Sequence, residues 1–484
     1  MPAQSTHIVS LDIGSSSVRA LLFDEAGQPC DGFSEQIAYE MTNTPDGGVE
    51  MDAEKLTELS LRCLSALHAR LGDAGIRPAA IGASAYWHSF LGVDENGSPT
   101  TAILHLFDTR AASAAKELEA ELDGTQIHQR TGCRLHSSYW PAKLRWLAKT
   151  KPEAVRATRK WMSFAEYLLL KVCGVPACSV SMMSASGLWN LEANRYDAEV
   201  LAAIPVREEQ LWPAERMEEA PAKLLPEHAA KWPLFDGIPW YPAYGDGACS
   251  NVGANCVTAG NFCLMVGTSG AMRAVTGARR IRVPEGLWCY RLDAARYILG
   301  GALTNGGDVY AWMRRNLRLP ENAEEQLEKR RPGEHGLTVL PFFGGERSPY
   351  WRADLRGVIA GLSLTTSAVD ILQAALESVA LSFEKIFALM KEALGAPDRV
   401  VGSGGALQNS RVWTRMMADA LDVPVTLGTE KEASARGAAL LALERLGKAA
   451  AAAPSGEVFQ PRAQNVEAFH RIRAGREDLF RKVY

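Results

Sequence analysis

The chain has 484 residues, of which 47% are apolar and 22% charged, with a formal net charge of −4. That length exceeds one compact core and implies two large domains. The weak negative charge leaves no footprint for nucleic acid, and no apolar run of about 18 residues offers a membrane span.

Residues 1–7 carry no signal-peptide core and run straight into a strand. From Ile8 an apolar run passes through Asp12, Gly14, Ser15, Ser16 and Ser17 into a second apolar run that ends near Asp24. This predicts a β-hairpin whose tip offers backbone N–H groups and hydroxyls to an anion, with little side-chain bulk in the way. Asp12 places an oxygen donor there, suited to a metal ion such as Mg²⁺. A third strand is predicted over 32–40. A helix follows over 52–71, with Asp52 as N-cap and Leu56, Leu59, Cys63, Leu64 and Leu67 on one face. A short buried strand over 79–85 ends in Tyr86-Trp87-His88-Ser89, where a parallel sheet would open onto a ligand. Residues 207–236, rich in Pro, Glu and Lys, read as surface loops. They lead to a candidate domain junction over 238–247, which closes with Gly245-Asp246-Gly247.

The same plan then recurs. A second apolar run turns at Gly267-Thr268-Ser269-Gly270 into another, this time without an acidic residue at the tip. Two such tips facing each other across a cleft can hold the phosphates of one nucleotide, which implies a duplicated nucleotide-binding fold. A strand is predicted over 297–301, a helix from about 307, a long apolar helix over 367–394 and a strand over 399–402. The turn that follows, through Gly404, Gly405, Ala406 and Asn409, has glycines that let a backbone approach a flat ligand. Helices over 409–421 and 434–446 complete the repeat. The boundaries drawn from these signals are 1–244, 245–450 and a peripheral tail over 451–484, with the Ala-rich run 449–453 across the last boundary. Nine scattered cysteines, with no CxxC pair, read as reduced core thiols of a cytoplasmic protein.

These stretches together resemble the FGGY family of carbohydrate kinases, within the actin-like ATPase superfamily. The resemblance runs from Asp12 to about Gly447. It rests on the two turns, on Gly245-Asp246-Gly247-Ala248, on Phe343-Gly344-Gly345-Glu346-Arg347-Ser348-Pro349-Tyr350, on 402–409 and on 432–439. It implies an α/β fold of two actin-like (ribonuclease-H-like) domains, each a mixed five-stranded sheet flanked by helices, with an interdomain cleft. It also implies ATP with Mg²⁺ at Asp12, and phosphates held by Gly14 to Ser17 and by Gly267, Thr268 and Ser269. Gly307, Gly404, Gly405, Ala406 and Asn409 would receive the rest of the nucleotide. Asp246 is the implied base, orienting a sugar hydroxyl and accepting its proton late.

The substrate side is implied to involve Trp87, His88, Asp108, Arg110 and His136. Likeness within the family is greatest to gluconate kinases, which phosphorylate D-gluconate to 6-phosphogluconate. Xylulose or another pentulose or polyol is the alternative. Trp87, Leu106-Phe107 and Ser137-Ser138-Tyr139 depart from the family pattern around the sugar. A sugar acid would need a cation for its carboxylate, for which Arg134, Arg110 and Lys143 are candidates. Readings from another class are an actin-like ATPase, which would not need Asp246, the Phe343–Tyr350 stretch and the His88 region together, and a silent sugar sensor, against which Asp12 and Asp246 speak. A homodimer is compatible with the sequence, as is a monomer.

Overall fold

The computed structural model describes residues 6–220, 223–448 and 456–484; the Ala-rich run 449–453 lies outside them. The first sheet is built around β1 (Ile8–Ile13), which is buried along its whole length. A strand covered on both faces is mostly apolar, as Ile8, Val9, Leu11 and Ile13 are, and its buried polar residues, Ser10 and Asp12, each have a partner. β1 pairs antiparallel with β2 (Ser17–Phe23), and β2 with β3 (Pro29–Ala38), an edge strand whose alternate residues face solvent. On its other side β1 runs parallel to β4 (Ala80–Ala85), and β4 to β5 (Tyr244–Gly245). Between β3 and β4, α1 (Ala53–Asp73) covers the sheet, and the Asp52 carboxylate caps it by accepting from Lys55 N at 2.8 Å.

The second sheet repeats this order and polarity. Its centre, β6 (Asn261–Val266), pairs antiparallel with β7 (Gly270–Thr276). β8 (Trp288–Arg291) and β9 (Tyr297–Leu303) follow, and β9 lies antiparallel to both β7 and β8. β6 also runs parallel to β10 (Arg399–Ser403), and β10 to β11 (Val425–Leu427). The sheet has seven strands where five were expected. β8 adds one edge, and β12 (Val458–Phe459) adds the other by pairing with β11. β8 is a four-residue run, Trp-Cys-Tyr-Arg, buried at every position and too short to show a strand period in sequence.

The segment over 207–236, read as surface loops, is anchored more deeply than its composition suggests. Trp212, Trp232 and Phe235 are buried, and Trp232 stacks on Trp240 with ring centroids 6.1 Å apart. A few large rings do the packing while the numerous charges point outward. The residues beyond 456 supply β12 and a helix, Ala463–Val483, which buries Phe469.

Between the sheets lie α2 (Asp246–Gly253) and, from much later in the chain, α7 (Ala433–Arg445). Among the helices that stand between them in sequence is α4 (Ala368–Leu394), capped by Ser367 and Asp370. α7 packs on α2, β1 and β4. Contact is backbone to backbone: a Cβ on Gly437 would stand 1.8 Å from the Cys249 carbonyl oxygen, and one on Gly253 1.9 Å from that of Ala433. Gly82 on β4 admits α7 in the same way, 2.5 Å from the Ala438 oxygen. The Ser10 hydroxyl donates to the Ala435 carbonyl at 2.7 Å across the same seam.

Gly437 has ordinary helical φ, so alanine there would favour an isolated helix by about 1 kcal/mol. In this protein the methyl must force two backbones apart, at a cost of about 1–3 kcal/mol. Gly437→Ala is therefore expected to lower the melting temperature by several degrees in a thermal-unfolding measurement. A variant that melts at or above the parent would remove the close approach as a determinant of the fold.

Candidate active site

The two glycine-serine turns face a common region. The first links β1 to β2 and is closed by Gly14 N donating to Ser17 O at 3.0 Å; Ser15 and Ser16 are exposed. Of this turn, Ser15 reaches the cavity described below, while Ser17 accepts from the Gln36 side chain at 3.2 Å. The second turn links β6 to β7 and is closed by Gly267 N donating to Ser269 O at 2.9 Å. It rests on the start of α3 (Gly307–Asn316), whose first N–H groups donate to Gly267 O at 2.8 Å and Thr268 O at 3.0 Å. A Cβ on Gly306 would meet the Ser269 backbone at 2.6 Å, so this seat requires glycine.

The second turn separates two cavities. On one side an open cavity of about 630 Å³ is lined by Gly267, Thr268, Gly307, Gly405, Ala406 and Asn409, with Tyr310 and Trp413 behind them. Gly405 and Ala406 begin α5 (Gly405–Gln408), and Ser410 caps α6 (Arg411–Leu421) by accepting from Trp413 N at 3.1 Å. The helix expected over 409–421 is α6, which begins two residues later at the Ser410 cap, and α5 precedes it as a separate turn. Gly404 holds a φ of 89° and would bring a Cβ within 2.4 Å of the Val266 oxygen, so no other residue fits that bend. All the predicted nucleotide contacts of the second half except Ser269 and Gly404 line this one cavity.

On the other side Ser269 and Gly270 help to line a cavity of about 310 Å³ to which both halves contribute. Asp246 stands in it as the first residue of α2, its Oδ1 accepting from Gly247 N at 2.7 Å. The flanking glycines exist because the Trp87 indole lies across both. A Cβ on Gly245 would be 1.7 Å from Trp87 Nε1, and one on Gly247 2.4 Å from its Cζ3. Trp87 is fixed in turn by donating Nε1–H to the Ser181 carbonyl at 3.0 Å. Burial raises the Asp246 pKa to about 6; Arg273 and the Gly247 N–H group oppose that rise, and Asp12 adds to it.

Asp12 is buried at the end of β1 and is engaged by Arg19, whose guanidinium also reaches Glu432 on the opposite half. Among the described residues no cluster of three metal-ligating side chains exists. One free carboxylate oxygen beside a phosphate turn nevertheless suits Mg²⁺, which takes one or two carboxylates and completes its shell with phosphate oxygens and water.

Trp87 and His88 line the cavity as expected. His88 holds φ 69°, and its Nδ1 lies 2.7 Å from the Ala185 carbonyl. A carbonyl only accepts, so Nδ1 carries the proton and Nε2 remains an acceptor for a ligand hydroxyl. Burial lowers the pKa of His88 to about 3, that of His105 to about 3 and that of His136 to about 4. All three are neutral at neutral pH. His136 stands at the margin, bonded to Ser138 and edge-on to Trp351 at 5.4 Å.

Asp108 and Arg110 do not line the cavity. They bind each other, and the Arg110 fork also holds Glu50 and lies over Trp146, 4.6 Å from the ring centroid. The two other expected cations are also committed elsewhere. Arg134 pairs with Glu285 at 3.1 Å, and Lys143 donates to the carbonyls of His105 and Ser138 at 2.6 and 3.1 Å.

Several lining groups were given no role in the sequence: His105, Arg273, Trp288, Tyr290, Arg347 and Trp351; Tyr139, placed near the sugar there, lines the cavity too. Tyr139 and Tyr290 share a hydroxyl contact of 2.8 Å, and Trp288 stacks on Tyr290 with centroids 4.5 Å apart. Arg347 comes from the Phe343–Tyr350 stretch, where Glu346 accepts from Thr304 N and Arg347 N at 2.6 and 2.9 Å and so sets the loop. Arg273 had a signal in sequence, since a cation within a fully apolar strand seldom occurs without a task.

Comparison with known proteins follows the same division of the chain. Residues 7–253 match the N-terminal domain of the FGGY family of carbohydrate kinases, and residues 263–445 match its C-terminal domain. A gluconokinase of Bacillus licheniformis is 27% identical over 457 residues, covering 92% of this chain and 88% of its own. The crystal structure of a gluconate kinase from Lactobacillus acidophilus superposes with a TM-score of 0.92 at 23% identity, over 99% of this chain and 98% of its own. A ligand-bound xylulose kinase from the same organism gives the same figures.

The raised pKa of Asp246 has a consequence for stability that needs no ligand. The folded chain holds this proton to higher pH than the unfolded chain, whose carboxyl titrates near 3.8. Stability is therefore lost as pH rises from about 4 to about 6, and the cost above that is on the order of 3 kcal/mol. Asp246→Asn is expected to melt several degrees above the parent at pH 8, with the gap closing by pH 4. An Asn variant that melts lower than the parent at pH 8 would contradict the desolvated carboxylate.

Proposed function

The chain belongs to the FGGY family of carbohydrate kinases, and we propose that it transfers the γ-phosphoryl group of ATP to a hydroxyl of D-gluconate, yielding 6-phosphogluconate and ADP. The observation that carries this reading is the position of Asp246. It lies in the smaller cavity, beside the turn whose other side opens into the larger one. Adenosine occupies the larger cavity on Gly405, Ala406 and Asn409. The phosphates pass over Gly267 to Ser269, with Ser15 of the first turn opposite. The sugar chain lies in the smaller cavity, its C–H faces against Trp87, Trp288 and Tyr290, and one hydroxyl donates to His88 Nε2.

Asp246 orients the attacking hydroxyl and takes its proton as the new P–O bond forms and the bond to the β-phosphate oxygen breaks. With a loose transition state the nucleophile needs little activation, so a carboxylate with pKa about 6 suffices as a late acceptor. Mg²⁺, held by Asp12 and the phosphates, would neutralise the charge that builds on the leaving oxygen. Asp108 and Arg110 act at a distance, bracing the wall through Glu50 and Trp146.

Support for gluconate comes from the gluconokinase likeness along nearly the whole chain. The second reading is xylulose, favoured by the equal likeness of the xylulose kinase structure and by aromatic walls that suit any sugar. A coupled ADP-release assay across gluconate, xylulose, ribulose, glycerol and erythritol separates the two.

With the preferred acceptor, Asp246→Asn is expected to lower kcat by roughly 10²–10⁴ while the KM for ATP changes only a few-fold. Excess EDTA should abolish turnover and added Mg²⁺ restore it. Near-parental turnover in the Asn variant would remove Asp246 from the chemistry.

A further inference from the structure

The smaller cavity holds a cation with nothing to pair with. Arg273 is 7% exposed, yet its Nε and Nη1 have no hydrogen-bond partner, and no carboxylate of the described residues lies within ion-pair distance. A buried guanidinium left this way destabilises the folded chain unless something arrives to meet it. Its stem is fixed on two sides. A Cβ on Gly300 would touch Arg273 Cγ at 3.0 Å, and one on Gly247 would stand 3.1 Å from Arg273 Nε. Both neighbours are glycines, so the side chain has a channel cut for it that ends at the cavity.

Charge balance points the same way. The ionisable groups lining the cavity are Asp246, Arg273, Arg347 and two histidines held neutral. Arg347 also keeps Nε unpartnered, while its Nη2 donates to the Leu303 carbonyl at 3.0 Å. Arg347 has the neighbouring Glu346 carboxyl to offset its charge, so Arg273, which no carboxylate contacts, is the guanidinium left for a ligand. Along β7, Arg273 follows Gly270 by three residues, a rise of about 10 Å from the phosphate turn. The guanidinium itself enters the cavity beside Gly247.

We propose that Arg273 reads a carboxylate on the substrate, so that the cavity selects a sugar acid over a neutral sugar or polyol of the same length. This rests on the kinase reading above and replaces Arg134, Arg110 and Lys143 as the carboxylate's partner. The planar fork offers two parallel N–H groups to two carboxylate oxygens, which a neutral CH₂OH end cannot match.

The test compares D-gluconate with D-glucitol, which has the same carbon chain and no carboxylate, in calorimetric binding and in ADP release. The parent protein is expected to favour gluconate clearly. Arg273→Gln should weaken gluconate binding by at least about 30-fold and leave glucitol binding unchanged, while Arg273→Lys retains part of the preference. The melting temperature of ligand-free Arg273→Gln should equal or exceed that of the parent, because an unpaired buried charge has been removed. An equal loss for gluconate and glucitol would assign Arg273 to the transferred phosphoryl group and overturn the proposal. Undiminished gluconate binding in the Gln variant would overturn it too. Should Arg273→Gln fail to fold, the Lys variant and the parent's own selectivity decide. A parent that phosphorylates neutral sugars and binds no sugar acid refutes both this proposal and the gluconate assignment, yet leaves an active kinase.

Discussion

Two helices that touch backbone to backbone hold this molecule together and place its chemistry. The contact of α2 with α7 through Gly253 and Gly437 leaves no room for a methyl group, so the relative position of the helices is set by main-chain atoms alone. α7 is pressed onto the first sheet through Gly82, and α2 opens with Asp246. The carboxylate is therefore positioned by the same surface that joins the halves. Trp87, lying across Gly245 and Gly247, fixes it from the first sheet. A residue that must meet a substrate from one half and a phosphate from the other is thus held by both.

The site keeps polar groups in expensive places. Asp246 is desolvated enough to raise its pKa, Arg273 lacks partners, and three histidines are buried neutral. Arg110, Lys143 and Asp12 each have close partners, and the Asp12–Arg19–Glu432 chain ties the first turn to the second half. The contrast separates groups that serve the fold from groups that wait for a ligand. Ligand binding should be most stabilising where the unpaired groups gather, in the cavity shared by the halves.

What could be read in the sequence was local. Gly-Ser turns between apolar runs, the Asp52 cap, the long helix after Ser367 and the Gly404 bend all depend on neighbouring residues, and each stands near its expected place. Gly245-Asp246-Gly247 was legible as a site, while its reason, the Trp87 indole, is remote in sequence. The far wall was hidden because β8, the Arg273 face of β7 and the Phe343–Tyr350 loop meet the first half only after folding. Asp108-x-Arg110 misled for the opposite reason: two charges at that spacing satisfy each other as readily as they bind a sugar. The charge-rich stretch 207–236 concealed Trp232 and Phe235, because composition averages over the few residues that pack.

The central claim is that one turn divides a nucleotide cavity built by the second half from a sugar cavity built by both, so that reaction requires the halves to close on two ligands. Solution scattering tests this directly. Gluconate together with a non-hydrolysable ATP analogue should reduce the radius of gyration relative to the free protein, and by more than either ligand alone. An unchanged profile, with both ligands shown by calorimetry to be bound, would contradict the account.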